Sequence, residues 1–335
     1  MKNFAVAALG IFATSVCFTS SDAVARALPT FSSTVALAGA DQDAEAQRRE
    51  YDEYQKIKAE SDLRKKVDMA KAFLQKAPGD SKYAPYVKGE FNKALYAIFS
   101  EQKTANKYQE TVAVGKEYIQ SNPNTELFFT HEFALLAQKL GNEALVGKKD
   151  ATPYFSDTIA HASRAISLIE SGQKLDANMK DDEWGKLKPN YLAYYHYASG
   201  LANFNLKKTA DAEALLIKTF EYGCTSYPNA YFILGQIQDT RYEEKAKTYS
   251  ALPDDKKTAD EGKKALDEAY AEAKKASEYY AKCLIVAQAS PQAKDYADLI
   301  KDTKDALEFA YKVWNNDKAD GMDKYVETFK DVCKK

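Results

Sequence analysis

Apolar residues recur at spacings of three and four along most of this chain, and short breaker clusters separate one such run from the next. Leu63, Val67, Ala70, Phe73 and Leu74 form one run, which stops at Pro78-Gly79-Asp80. A helix turns once in about 3.6 residues, so this spacing gathers the apolar side chains on one face. Pro and Gly then end the helix. Turn formers are scarce elsewhere. The 335 residues hold 14 Gly and 9 Pro, well below the usual shares of roughly 7% and 5%. A chain this poor in turns cannot build the many tight connections of an all-β fold. The predicted class is all-α.

The runs continue in the same way. Tyr51, Tyr54 and Ile57 mark a first helix, with helical pattern from Ala44 onward. Ser81 is placed to cap a helix carrying Tyr83, Tyr86, Val87, Phe91, Leu95, Tyr96 and Phe99. Tyr108, Val112, Val114, Tyr118 and Ile119 precede Asn122-Pro123-Asn124. Leu127, Phe128, Phe133, Leu135, Leu136 and Leu140 lead to an expected end at Gly141-Asn142. A further helix is expected from about Pro153 to Glu170. Residues 175–188 are mostly polar and read as a loop with a short turn around Trp184. Helices resume at Tyr191. An amphipathic helix must bury its stripe, and helices joined by short connections pack as antiparallel hairpins. The expected organisation is therefore hairpins over 44–174, a loop over 175–188, and further hairpins over 189–335. A charged insertion or extended hairpin is expected near 243–264, and a solvating helical cap at the end.

The first residues differ from the rest. Met1-Lys2-Asn3 is positive, Phe4 to Phe18 is apolar, and Ala23-Val24-Ala25 is a small-x-small site. That order is the signature of a secretory signal peptide over 1–25, with Ala23 and Ala25 as the small residues just before the cut. Ala36-Leu37-Ala38 is a second candidate cut, and residues 26–43 read as a flexible leader. A retained anchor is the alternative. Cys17 is a poor lipoprotein site, because Val16 is bulky where a small residue is wanted. No later stretch reaches 18 uninterrupted apolar residues, so the mature chain is expected to lack a transmembrane segment.

Charge and cysteine content narrow the classes further. Lys and Arg number 47 against 49 Asp and Glu, for a net charge of -2. The signs are interspersed, without the concentrated positive face that nucleic acid requires. After the signal, Cys224, Cys283 and Cys333 remain, an odd number. Export permits a disulfide. Cys224 with Cys283 is one conceivable pair, and three separate thiols are the other reading.

The sharpest internal match lies in the second half. Gly200-Leu-Ala-Asn-Phe204-Asn-Leu206 is followed by Ala212, Leu216, Phe220 and Pro228. Gly235 then stands 35 residues after Gly200, beside Tyr231 and Leu234. These residues resemble tetratricopeptide repeats, whose period is about 34 residues. Phe73-Leu74-Gln-Lys-Ala-Pro78-Gly-Asp-Ser81 is similar to a junction between units in bacterial envelope members of that family. The resemblance implies a right-handed α-solenoid of degenerate repeats. In it, Gly200, Ala212, Leu234, Gly235 and Ala276 would be the packing positions between helices. Ser199 and Asn203 depart from the family's larger groups, and Ala276 with Tyr280 comes late for an uninterrupted unit.

No catalytic constellation is found. His131-Glu132 lacks the second imidazole of a zinc-protease helix, and His161 and His196 carry no motif. Gly141 to Lys149 has the wrong spacing for a phosphate loop. No cofactor, metal or catalytic residue is predicted. The aromatics are more informative. Tyr194, Tyr197, Leu201 and Phe204 share one helix side, and the corresponding positions of the next unit are Asn229, Phe232, Gln236 and Asp239. The resemblance implies that this side lines a concave groove for an extended or helical peptide. The same rings would serve equally as filler between helices. The expected function is an exported, non-catalytic scaffold binding a protein or peptide partner in the cell envelope. The alternatives are an exported helical enzyme or carrier, and a self-associating envelope component.

Overall fold

The computed structural model describes residues 40–333, with side chains described from Ala44 onward. The expected signal peptide over 1–25, its expected cleavage residues Ala23 and Ala25, and the second candidate site at Ala36 to Ala38 lie outside the described residues. Thirteen α-helices and two short 3-10 helices make up the described chain, which contains no strand. It divides between Pro123 and Asn124 into two compact units.

The first unit holds α1 (Ala40–Ala59), α2 (Leu63–Lys76), α3 (Ala84–Thr104) and α4 (Tyr108–Ser121). Helix α1 thus begins four residues inside the segment expected to be leader. Helix α2 packs on α3, and Val67, Ala70 and Phe73 of α2 and Val87, Phe91, Leu95 and Ile98 of α3 are buried. The Asp62 side chain accepts from the Lys65 amide at 3.0 Å and caps α2. Ser81 Oγ accepts from the Ala84 amide at 3.2 Å, satisfying a free donor of the first turn of α3.

The second unit holds α5 (Glu126–Val146), α6 (Thr152–Glu170), α7 (Asp181–Asn205), α8 (Thr209–Gly223) and α9 (Pro228–Ser250). It continues with α10 (Asp254–Lys257), α11 (Asp260–Ala289), α12 (Ala297–Trp314) and α13 (Met322–Glu327). Consecutive long helices pack against one another: α5 on α6, α6 on α7, α7 on α8, α9 on α11 and α11 on α12.

The structure corrects the expected end of α5, the loop and the boundary between units. Helix α5 runs past Gly141 to Val146. Gly141 is a contact point, not a stop: a β-carbon there would lie 2.7 Å from Cε1 of Phe155. Most of the expected loop over 175–188 is the start of α7, which continues through Pro189. Trp184 is buried with Leu175, Ile169, Leu192 and Tyr195, so a sparse stripe suffices to anchor those turns. Asp181, Asp182 and Glu183 favour the positive end of the helix dipole there. The same cluster unites α5, α6 and α7, so the boundary falls at 123 and not at 175–188. The charged stretch near 243–264, expected as an insertion or an extended hairpin, is the tip of the long hairpin of α9 and α11. Lys245 bridges to Glu268 and Glu272 across it, each at 3.5 Å.

The cysteine pairing is the last correction. Cys224 is joined to Cys333, and Cys283 is a buried free thiol. Cys283 is fully enclosed among Tyr231 and Val286, where burial pushes its pKa up to about 12. The pair ties the turn after α8 to the segment beyond α13.

Candidate functional site

The five positions assigned to helix packing all lie inside the second unit. Gly200 of α7 faces α8: a β-carbon there would stand 2.7 Å from Cγ of Leu216. Gly235 of α9 faces α11: a β-carbon there would stand 2.7 Å from Cδ1 of Tyr280. Lacking a side chain, each lets a neighbouring helix approach closely. Ala212, Leu234 and Ala276 are fully buried.

The eight positions assigned to a groove divide by environment. Leu201 is enclosed with Ala212, Leu216 and Leu234 and offers no free surface. The other seven are half-buried. Tyr194 donates to Gln138 Oε1 of α5 at 2.9 Å and stands edge-on to His131 at 5.6 Å. Tyr197 stacks on Tyr227 with ring centroids 4.5 Å apart. Burial raises the Tyr197 hydroxyl to about 12, against the opposing effect of a hydrogen bond with Asn229. Phe204 packs on the α7–α9 core, and Lys207 lies 5.9 Å above its ring. Phe232 is 5.6 Å from Tyr280 and borders the core of α11 and α12.

The polar end of this face is unusual. Tyr280 donates to Asp239 Oδ2 at 2.5 Å, while Asp239 Oδ1 and Gln236 Oε1 are buried and receive no hydrogen bond. Burial raises the Asp239 carboxyl to about 6; Glu243 adds to the rise and Tyr280 opposes it. A buried acceptor without a donor is costly. Glu213 of α8 is held by Arg241 and Gln238, which stand on either side of Asp239 in α9, with Gln238 at 2.8 Å. Burial works against the Glu213 carboxylate, but Arg241 and Gln238 outweigh it and lower its pKa.

Several of these partners carry no pattern in sequence. Tyr227 and Arg241 enter through tertiary packing, with Tyr227 signalled only by its place before the helix-opening Pro228, whereas Tyr280 is marked in sequence by its spacing of four from Ala276. The histidines are built into aromatic packing. His131 Nδ1 lies 3.0 Å from the Tyr195 hydroxyl, His161 abuts Phe133, and His196 stacks on Tyr222. Among the described residues no group of three His, Cys, Asp or Glu is placed to hold a metal ion. No helix among them is long and apolar enough to cross a membrane. No family model, curated protein or solved structure matches the chain.

Proposed function

We propose that the chain is an exported, tetratricopeptide-like scaffold, a right-handed α-solenoid of degenerate repeats, that binds a protein or peptide partner in the cell envelope without catalysis. One observation carries the reading. Tyr194, Tyr197, Phe204, Asn229, Phe232 and Gln236 present half-buried rings and amides on α7 and α9. Rings supply rigid contact area, and partly exposed amides supply hydrogen-bonding groups for an incoming chain. The Cys224–Cys333 pair supports export, because disulfides persist in oxidising compartments.

The test is capture from the native envelope after cross-linking, with Tyr197→Ala combined with Phe232→Ala. The partner recovered with the native chain should be lost with the double variant, while circular dichroism shows unchanged helicity. Equal recovery from a folded double variant rejects the groove.

A further inference from the structure

We infer that the edge of the second unit formed by the α5–α6 and α7–α8 turns rests on an anionic phospholipid surface, with Leu145 and Val146 entering its apolar boundary and lysines meeting the headgroups. The inference stands apart from the groove reading, since none of these side chains is among the eight assigned to the groove.

The two turns share one geometry. Just past each helix end stands a lysine with left-handed backbone, Lys148 at φ 53° and Lys207 at φ 62°. A second lysine follows, and its amide reaches back to close the helix. Lys149 donates to the Ala144 carbonyl at 2.8 Å, and Lys208 to the Asn203 carbonyl at 2.9 Å. Glycine adopts the left-handed backbone without strain, yet both positions hold a charge. The turns are also neighbours. Ala144 and Ala151, on either side of the first, share a core cluster with Ala202, and Leu206 packs against that cluster at the second. Four lysines therefore gather at one edge. All four are exposed, and among the described residues none makes an ion pair.

The carboxylates beside them do not cancel this charge. Glu143 is bridged to Lys139 at 3.7 Å. Asp150 accepts from the Thr152 amide at 2.9 Å, and Asp211 lies in the first turn of α8. Each of these two is thus offset by the positive end of a helix dipole.

Charge alone would make this an ordinary solvated edge. The second observation is apolar. Val146 is 61% exposed, the most of any large apolar side chain among the described residues, and Leu145 is 39% exposed. Both stand in the last turn of α5, directly before the first lysine pair. Apolar tips beside lysines match a headgroup boundary, where the tips enter the acyl region and the ammonium groups meet phosphate. A soluble polyanion would engage the lysines and leave both tips in water.

The experiment uses the chain purified from its own cells and vesicles of phosphatidylcholine, alone or with an equal part of phosphatidylglycerol. The environment-sensitive dye NBD is attached at Val146→Cys or, as a control, at Phe309→Cys, which is 57% exposed on α12. Cys224 and Cys333 are bonded and Cys283 is buried; with Cys17→Ser in all forms, the dye takes the introduced thiol. At position 146 it should brighten and shift blue with the mixed vesicles and not with phosphatidylcholine alone. At position 309 it should respond to neither. Adding Lys149→Gln with Lys208→Gln should raise the lipid concentration for half-response about thirtyfold. Both lysines are exposed, and circular dichroism checks that helicity is unchanged. A silent dye at position 146, even where the chain sediments with mixed vesicles, overturns the inference. Equal responses at 146 and 309, equal responses to both lipids, or a lysine variant that responds as the parent does also overturn it.

Discussion

Tyr280 of α11 donates its hydroxyl hydrogen to Asp239 of α9, and it reaches that carboxylate only because its ring crosses α9 where Gly235 leaves room. The close packing of two long helices and the polar end of the candidate groove thus share one side chain. Changes at either residue should be felt by the other.

Gly235→Ala is expected to destabilise the chain by about 1–3 kcal/mol, because the added methyl overpacks against the Tyr280 ring. Gly89 in α3 is the control. Nothing lies within 4 Å of a β-carbon there, so Gly89→Ala should stabilise by about 0.5–1 kcal/mol through helix propensity alone. Urea melts of both variants give the two opposite signs.

Asp239 should make stability depend on pH in the unusual direction. Its carboxyl titrates near 4 when unfolded and at about 6 when folded. Between those values the folded state keeps a proton that the unfolded state has shed. Stability from this group therefore falls as pH rises from about 4 to about 6, by about 1.4 kcal/mol per pH unit, and is level above. Tyr280, Tyr242 and Glu243 are the titratable groups around it. Asp239→Asn retains an acceptor for Tyr280 and should flatten this slope. Urea midpoints of the native chain and the variant at pH 4.5 and 7 measure the difference.

The helical class and most helix positions were legible in the sequence, because apolar stripes at three-or-four spacing must be buried whatever they face. The C-terminal end of α5 and the start of α7 were not. Gly141 serves packing against Phe155 where local rules read a stop, and Pro189 sits within a helix anchored by Trp184. Residues of the candidate face could be placed on α7 and α9 by their spacing, but not by their burial. Only tertiary packing encloses Leu201 or strips the donors from Asp239 Oδ1. The cysteine pairing was equally hidden, since three thiols allow three pairs and the one formed joins positions 109 residues apart.

That pairing yields its own prediction. Peptide mapping under non-reducing conditions should recover Cys224 linked to Cys333, with Cys283 free. Cys283 should resist iodoacetamide while the chain is folded, being buried with its thiol pushed up to about 12. Reduction should lower stability by about 2–5 kcal/mol, as expected for a bond closing so long a loop. A Cys224–Cys283 peptide would contradict the assignment.

The most direct measurement of the binding claim is site-specific photo-cross-linking in living cells, with benzoylphenylalanine placed at Phe204 on the candidate face or at Ile217, which is 43% exposed on α8. The account predicts a discrete heavier adduct from position 204 and none from position 217. Adducts of equal yield at both positions, or an adduct at 217 alone, would contradict it.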